Sequence, residues 1–310
     1  MSQSQLVAPV SGILDHLIAL RINAPLQDET AWMQRWLELT VYGCTAGDKS
    51  QADATTLVVR PSKYTGAFTV REEYPAGQAT ARSQTYARDE DELLRKVEWL
   101  AYDAAVGRAA FPFIIHAGAV SRDGVAMVFP AASGAGKTTL TFGLAARGWL
   151  PLCDDICPLD ERADGTFVAV GCPRCGHLNL HSEGILRRAG VELDGPVAGL
   201  SGYYRPMHWG QPAPVRAIVV PHHQEGAALC VEALTQAEGA AALYGATFRR
   251  ERISRRDEWA AARRLAVQVP AFRLTYGSLD SALAGVDTIT TTVGDLRAPT
   301  QCVGTVGGGG

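Results

Sequence analysis

Apolar residues recur along this chain at two spacings, and the change from one to the other divides it. Over 89–110, Leu93, Leu94, Val97, Leu100, Ala101 and Ala104 fall on one stripe, which predicts a long amphipathic helix. Residues 28–39 (DETAWMQRWLEL) carry a second helical pattern with an acidic first turn. Around them, 16–22 (HLIALRI), 55–60 (TTLVVR), 67–73 (AFTVREE) and 83–88 (SQTYAR) read as strands. Residues 1–108 are therefore expected to form a small α+β unit.

From Phe111 the character changes. FPFIIHAGAV and GVAMVFP are short apolar runs separated by Ser121-Arg122-Asp123-Gly124, a turn signal, so a hairpin is expected. A helix over 137–147 and a buried strand over 149–153 (WLPLC) follow. Further strands are expected over 167–172, 177–182, 213–223, 228–234 and 271–277. Helices are expected over 235–248, 255–269 and 279–293. Strands alternating with helices predict an α/β domain over 109–298. Residues 299–310, rich in glycine, read as a disordered tail, and no internal repeat is found.

Composition adds exclusions. Of 310 residues, 47% are hydrophobic and 20% charged, which suits a sizeable core rather than disorder. The net charge of −3 gives no general argument for nucleic acid or an anionic membrane. No apolar run has the length of a membrane span, and the N-terminus lacks signal-peptide features, so a cytoplasmic protein is expected. There are seven cysteines, and an odd number without a secretion signal argues against a disulfide framework.

The chemistry concentrates where the second apolar run ends. Ala131-Ala132-Ser133-Gly134-Ala135-Gly136-Lys137-Thr138-Thr139 matches the phosphate-loop pattern, except that Ala131 stands where its first glycine should be. Gly134 and Gly136 let consecutive backbone N–H groups curl around phosphate oxygens, and the following helix adds its positive end. Ser133 to Thr139 would then hold a nucleoside triphosphate, ATP. Lys137 would reach its β- and γ-phosphates and the Thr138 hydroxyl would bind Mg²⁺. The apolar strand WLPLC ends in Asp154 and Asp155. Two carboxylates at the end of a buried strand are costly unless a metal or proton-transfer partner is near. Successive strand side chains face opposite ways, so one aspartate could hold Mg²⁺ and the other face an attacking hydroxyl.

His116, the stretch GVAMVFPAASGAGKTTL, Arg147-Gly148 and the strand ending in Asp154-Asp155 together resemble the catalytic core of the HPr kinase/phosphorylase family and its divergent kinase relatives. The resemblance spans about 111–295. His116 lies 21 residues before Lys137 and Asp155 lies 18 after it, as in the family. It implies a P-loop kinase domain of the HPr kinase type behind the small N-terminal unit. Asp155 would be the general base, and His116 would tune it or contact the transferred phosphoryl. Lys137 would bind phosphates, Thr138 and Asp154 the metal. The implied reaction is ATP-dependent transfer to a hydroxyl on a peptide, a protein or a small alcohol, by an expected homo-oligomer that acts on neither nucleic acid nor membrane; the alternatives are a P-loop NTPase switch and a non-catalytic nucleotide-binding scaffold in a modification complex. The chain departs from the family after the aspartates. Cys172-Pro173-Arg174-Cys175 stands where a Glu-Val-Arg-Gly signature is found, so Arg174 can match the arginine but no Glu precedes it.

Other clusters compete for a role. Cys172, Cys175, His177 and His181 could make a closed Cys₂His₂ zinc set, or Cys153 and Cys157 could supply a second pair, but one C-x-x-C is only half a site and is more often incidental. The arginines from Arg249 to Arg264, interrupted by Glu251, Asp257 and Glu258, read as a solvated face. Pro221-His222-His223 reads as a strand end. Residues 203–209 (YYRPMHW) suit either stacking on a ligand or plain packing.

Overall fold

The computed structural model describes residues 6–7, 11–14, 16–40, 55–63, 67–73, 84–250 and 252–294. Cys44, Glu251, Cys302 and the expected tail lie outside them. The chain is a mixed α/β protein, and its described residues form three sheets. Its first part comprises β1 (Leu6–Val7), β2 (Ser11–Ile13), β3 (His16–Ile22), α1 (Glu29–Thr40), β4 (Thr55–Pro61), β5 (Phe68–Glu73), β6 (Gln84–Ala87) and α2 (Glu90–Arg108). Here β3 and β4 pair in parallel around α1, and the sheet order is β1-β3-β4-β5-β6 with β2 beside β3. α2 begins where the sequence signals it. Asp89 accepts the Glu92 amide at 2.7 Å, and all six residues of the expected stripe are buried.

The second part opens with the expected hairpin of β7 (Phe113–Arg122) and β8 (Val125–Pro130). α3 (Lys137–Gly143) follows, tightening into a 3₁₀ turn over Leu144–Arg147 that ends at left-handed Gly148. Next come β9 (Leu150–Cys153), β10 (Ile156–Glu161), β11 (Phe167–Ala169), β12 (Gly176–His177), α4 (Leu180–Arg188), β13 (Leu193–Asp194) and β14 (Tyr203–Pro206). The chain continues through β15 (Ala213–His223), β16 (Cys230–Leu234), α5 (Gln236–Gly245), α6 (Arg255–Gln268), β17 (Ala271–Tyr276) and α7 (Leu279–Thr292). The main sheet runs β11-β10-β7-β8-β15-β17-β16, and β9 also pairs with β7. β8, β15 and β17 are parallel neighbours, and α7 packs against α3 and β17.

One expected strand is wrong. Residues 177–182 (HLNLHS) alternate as a strand would, yet only His177 lies in a strand. Asn179 caps α4 by accepting the Ser182 amide at 2.8 Å, and Leu180 is 85% exposed, so the alternation marks no buried face. His177 and His181 therefore do not share a strand face. The sequence reading also missed β10, whose Ile156, Cys157 and Leu159 are buried.

The two parts share a core. The largest buried cluster runs from Ile18, Trp32 and Leu57 through Leu93 and Val97 to Ile115, Ile156 and Leu265. Arg250, expected on a solvated face, is buried at the junction. Its guanidinium donates to the carbonyls of Ala109, Phe111 and Pro112 at 3.3, 2.6 and 3.2 Å.

Candidate active site

The loop from β8 to α3 takes its shape from two glycines. Gly134 and Gly136 have φ of 81° and 82°, a region that strains residues with a Cβ. Gly136 is also the residue before α3, so the first amides of the helix have no intrahelical acceptor. Ser133, Gly134, Gly136, Lys137, Thr138 and Thr139 form one wall of a cavity of about 460 Å³. Ala135 turns its amide to the Ala132 carbonyl, 3.3 Å away, and does not line the cavity. The loop helix lies close on the sheet: a Cβ on Gly118 would collide with the Thr141 hydroxyl.

Asp154 and Asp155 face this loop from the turn between β9 and β10, in two different environments. Asp154 is 4% exposed. Its Oδ2 accepts the Thr138 hydroxyl at 2.8 Å, while its Oδ1 is buried without a hydrogen-bond partner. Burial, and then the neighbouring Asp155 charge, push the Asp154 carboxyl up to about 7. A buried, orphaned carboxylate oxygen beside a threonine hydroxyl is a donor set that fits a hard divalent cation such as Mg²⁺.

Asp155 is held from two sides. Its Oδ1 lies 3.0 Å from His116 Nδ1, and its Oδ2 accepts Arg174 Nη1 at 2.9 Å. Burial raises its pKa, but the His116 hydrogen bond and the charges of Arg174 and Lys137 outweigh it and hold the carboxyl below its usual range. The register of β7 on β10, with His116 opposite Ile156, brings the histidine alongside Asp155. Lys137 Nζ sits 3.0 Å from His116 Nε2 and donates to the Ala132 carbonyl at 2.8 Å. An ammonium has only donors, so Nε2 accepts and the ring proton sits on Nδ1, pointing at Asp155. Lys137 is buried, and desolvation lowers its pKa against the pull of Asp155 and Asp154.

The structure thus brings together every expected site residue except Ala135, and adds others. Arg174, Cys175, His177, Asn179, Ser182 and Tyr203 complete the cavity wall. Beyond it, Glu98 of α2 accepts Arg174 Nε at 2.6 Å and Nη2 at 2.9 Å. Glu98 had one legible signal: it is a charged residue spaced with Leu94 and Ala101 on the apolar face of a helix.

The competing clusters divide. Tyr203 lines the cavity, while Tyr204 packs under Arg187, Arg205 pairs with Asp194 and Trp209 lies edge-on to Phe142. His222 and His223 are exposed at the end of β15. Among the described residues, no group of three or more His, Cys, Asp or Glu is placed to hold a metal ion. Cys172 and Cys175 are buried, and burial pushes both thiols up to about 12. No protein-family model matches the chain, and no curated protein is significantly similar to it. Among the described residues, no helix is long and apolar enough to cross a membrane.

The Asp154 environment makes a prediction. A buried acid with a raised folded pKa is penalised once the solution rises above its unfolded value near 4, and the penalty grows until the pH passes its folded value. Stability should therefore fall as pH rises from about 4 to about 7, by roughly 4 kcal/mol at most from this group. Asp154→Asn should flatten that part of a melting-temperature profile, and MgATP should raise the wild-type curve most above pH 7. An unchanged slope in Asp154→Asn would show that the carboxyl is not desolvated.

Proposed function

We propose that this protein is an ATP-dependent kinase that transfers the γ-phosphoryl group to a hydroxyl, and that it is a divergent relative of the HPr kinase/phosphorylase family. One observation carries the reading. An ionised carboxylate, Asp155, shares a cavity with Lys137, Thr138 and a loop shaped by two left-handed glycines.

The residues divide the work. Backbone amides of the loop and the Lys137 ammonium bind phosphate oxygens. Thr138 and Asp154 would hold Mg²⁺, which when bound offsets phosphate charge. Asp155 accepts the proton of the attacking hydroxyl. Its low basicity is compatible with that role, because the transition state of phosphoryl transfer is loose and demands positioning more than a strong base. His116 holds one oxygen of Asp155 and Arg174 the other, which fixes the plane of the carboxylate. The acceptor hydroxyl belongs to a serine-bearing peptide, a protein or a small alcohol.

Incubation with γ-labelled ATP, Mg²⁺, serine peptides and free serine tests the reading. Label is expected on an acceptor, over a slower release of inorganic phosphate as water enters the site. Phosphate release with no acceptor labelled from peptides or from a cell lysate would favour a nucleotide hydrolase instead.

A further inference from the structure

The segment 170–175 between β11 and β12 has no regular secondary structure, yet it carries the guanidinium that binds Asp155. Its own backbone ties are few: Val170 donates to the Pro158 carbonyl and Cys172 to the Leu152 carbonyl, each at 3.0 Å. Arg174 is fixed from elsewhere. Glu98 accepts two of its N–H groups in a fork, and the ring of Tyr102 lies 4.9 Å from its guanidinium carbon. The Tyr102 hydroxyl donates to the Pro173 carbonyl at 3.3 Å. Glu98 and Tyr102 are four residues apart and so share one face of α2. That helix belongs to the first part of the chain, outside the region that resembles a kinase core.

We propose that Glu98 is a positioning residue for the candidate active site: it locks Arg174, and Arg174 in turn aims the Asp155 carboxylate. This role rests on the kinase reading above. The geometry favours it over a purely structural salt bridge. Glu98 is 1% exposed, and the desolvation of such a pair commonly cancels its Coulomb gain. A hydrophobic pair would stabilise the fold as well. What apolar side chains cannot do is hold a guanidinium in one plane with a third N–H directed at Asp155. Glu98 uses both oxygens on Nε and Nη2, which leaves Nη1 for the aspartate. α2 thereby makes the first part of the chain a component of the site.

The test uses the full-length protein. Glu98→Gln keeps the shape but offers one acceptor where two N–H groups point, so Arg174 loosens. Affinity for a non-hydrolysable ATP analogue, measured by calorimetry, should stay within about three-fold, because the glycine loop is untouched. Turnover of γ-labelled ATP should fall roughly 10–100-fold, the effect expected of a misplaced reacting group. Glu98→Asp, which retains charge and both oxygens, should recover part of it. The Arg174 Nε–H proton, protected from exchange in the wild type, should exchange quickly in Glu98→Gln. If Glu98→Gln destabilises the fold, the double variant Glu98→Gln, Arg174→Met removes the buried charge and should restore the melting temperature while turnover stays lost. Turnover that returns with the melting temperature would show a structural role alone. Full turnover in Glu98→Gln would overturn the positioning role and leave the kinase reading standing. A wild-type protein that binds ATP yet neither transfers nor releases phosphate would overturn both.

Discussion

Asp155→Asn should slow phosphoryl transfer by roughly 10²–10⁴, the usual worth of a positioned base, while ATP affinity stays within a few-fold. The amide keeps the shape of the carboxylate and removes its proton-accepting capacity. Nucleotide binding is spared because the loop, Lys137 and Thr138 make no hydrogen bond to Asp155. The substitution also disturbs its neighbours in a defined way. Asp155 accepts from two sides, His116 Nδ1 and Arg174 Nη1, whereas asparagine has one acceptor and one donor end. If the amide nitrogen faces His116, the ring must present a bare Nδ1 and move its proton to Nε2, against the Lys137 ammonium. A change in the His116 tautomer, read by nitrogen NMR, should therefore accompany the loss of transfer. His116→Ala should lose less, since the carboxylate and Arg174 remain. Transfer at the wild-type rate in Asp155→Asn would end the general-base assignment. Loss of ATP affinity as complete as that of a loop variant would make Asp155 a metal ligand and Asp154 the better candidate base.

Lys137→Ala should abolish measurable ATP–Mg²⁺ binding, a loss of at least about 100-fold, and turnover with it. Lys137 is the one cation on the glycine loop and its charge has no substitute there. The side chain is buried, with Nζ between the Ala132 carbonyl and His116, so the variant also loses two hydrogen bonds. Lys137 itself lines the cavity, so water can replace Nζ, and the lysine's own desolvation cost vanishes with it. The melting temperature should change by only a few degrees. Lys137→Met, which keeps the apolar stem, separates charge from packing. Calorimetry that shows unchanged affinity in either variant would refute the phosphate-binding role of the loop.

Much of this site was legible in one dimension because its parts are local. A phosphate-binding loop needs glycines at positions of positive φ, a lysine and a hydroxyl within a few residues, and the strand before it and helix after it follow from periodicity. Asp154 and Asp155 stand out because carboxylates seldom end an apolar strand. The same locality explains the misreadings. HLNLHS alternates like a strand, but a cap at Asn179 and a solvent-facing Leu180 decide for a helix, and neither is visible in an apolar–polar count. Arg250 reads as one member of an exposed basic run until three carbonyls of the 109–112 segment are found around it.

By itself the sequence determined the order of helices and strands across most of the chain, the glycine loop with Lys137 and Thr138, and the acidic pair. Each depends on neighbours a few residues away, where backbone geometry and side-chain period act directly. Only the tertiary structure decided which carboxylate is desolvated against Thr138 and which is ionised between His116 and Arg174. The two are adjacent in sequence, and their chemistry differs through groups 16 to 39 residues distant. Only it decided that Glu98 and Tyr102 reach that pair from α2. Arg174 lies 76 residues beyond Glu98, on a segment without regular structure. Burial and hydrogen-bond partnership at that separation are set by how the two larger sheets and α2 pack around one shared core, a property that no local pattern encodes.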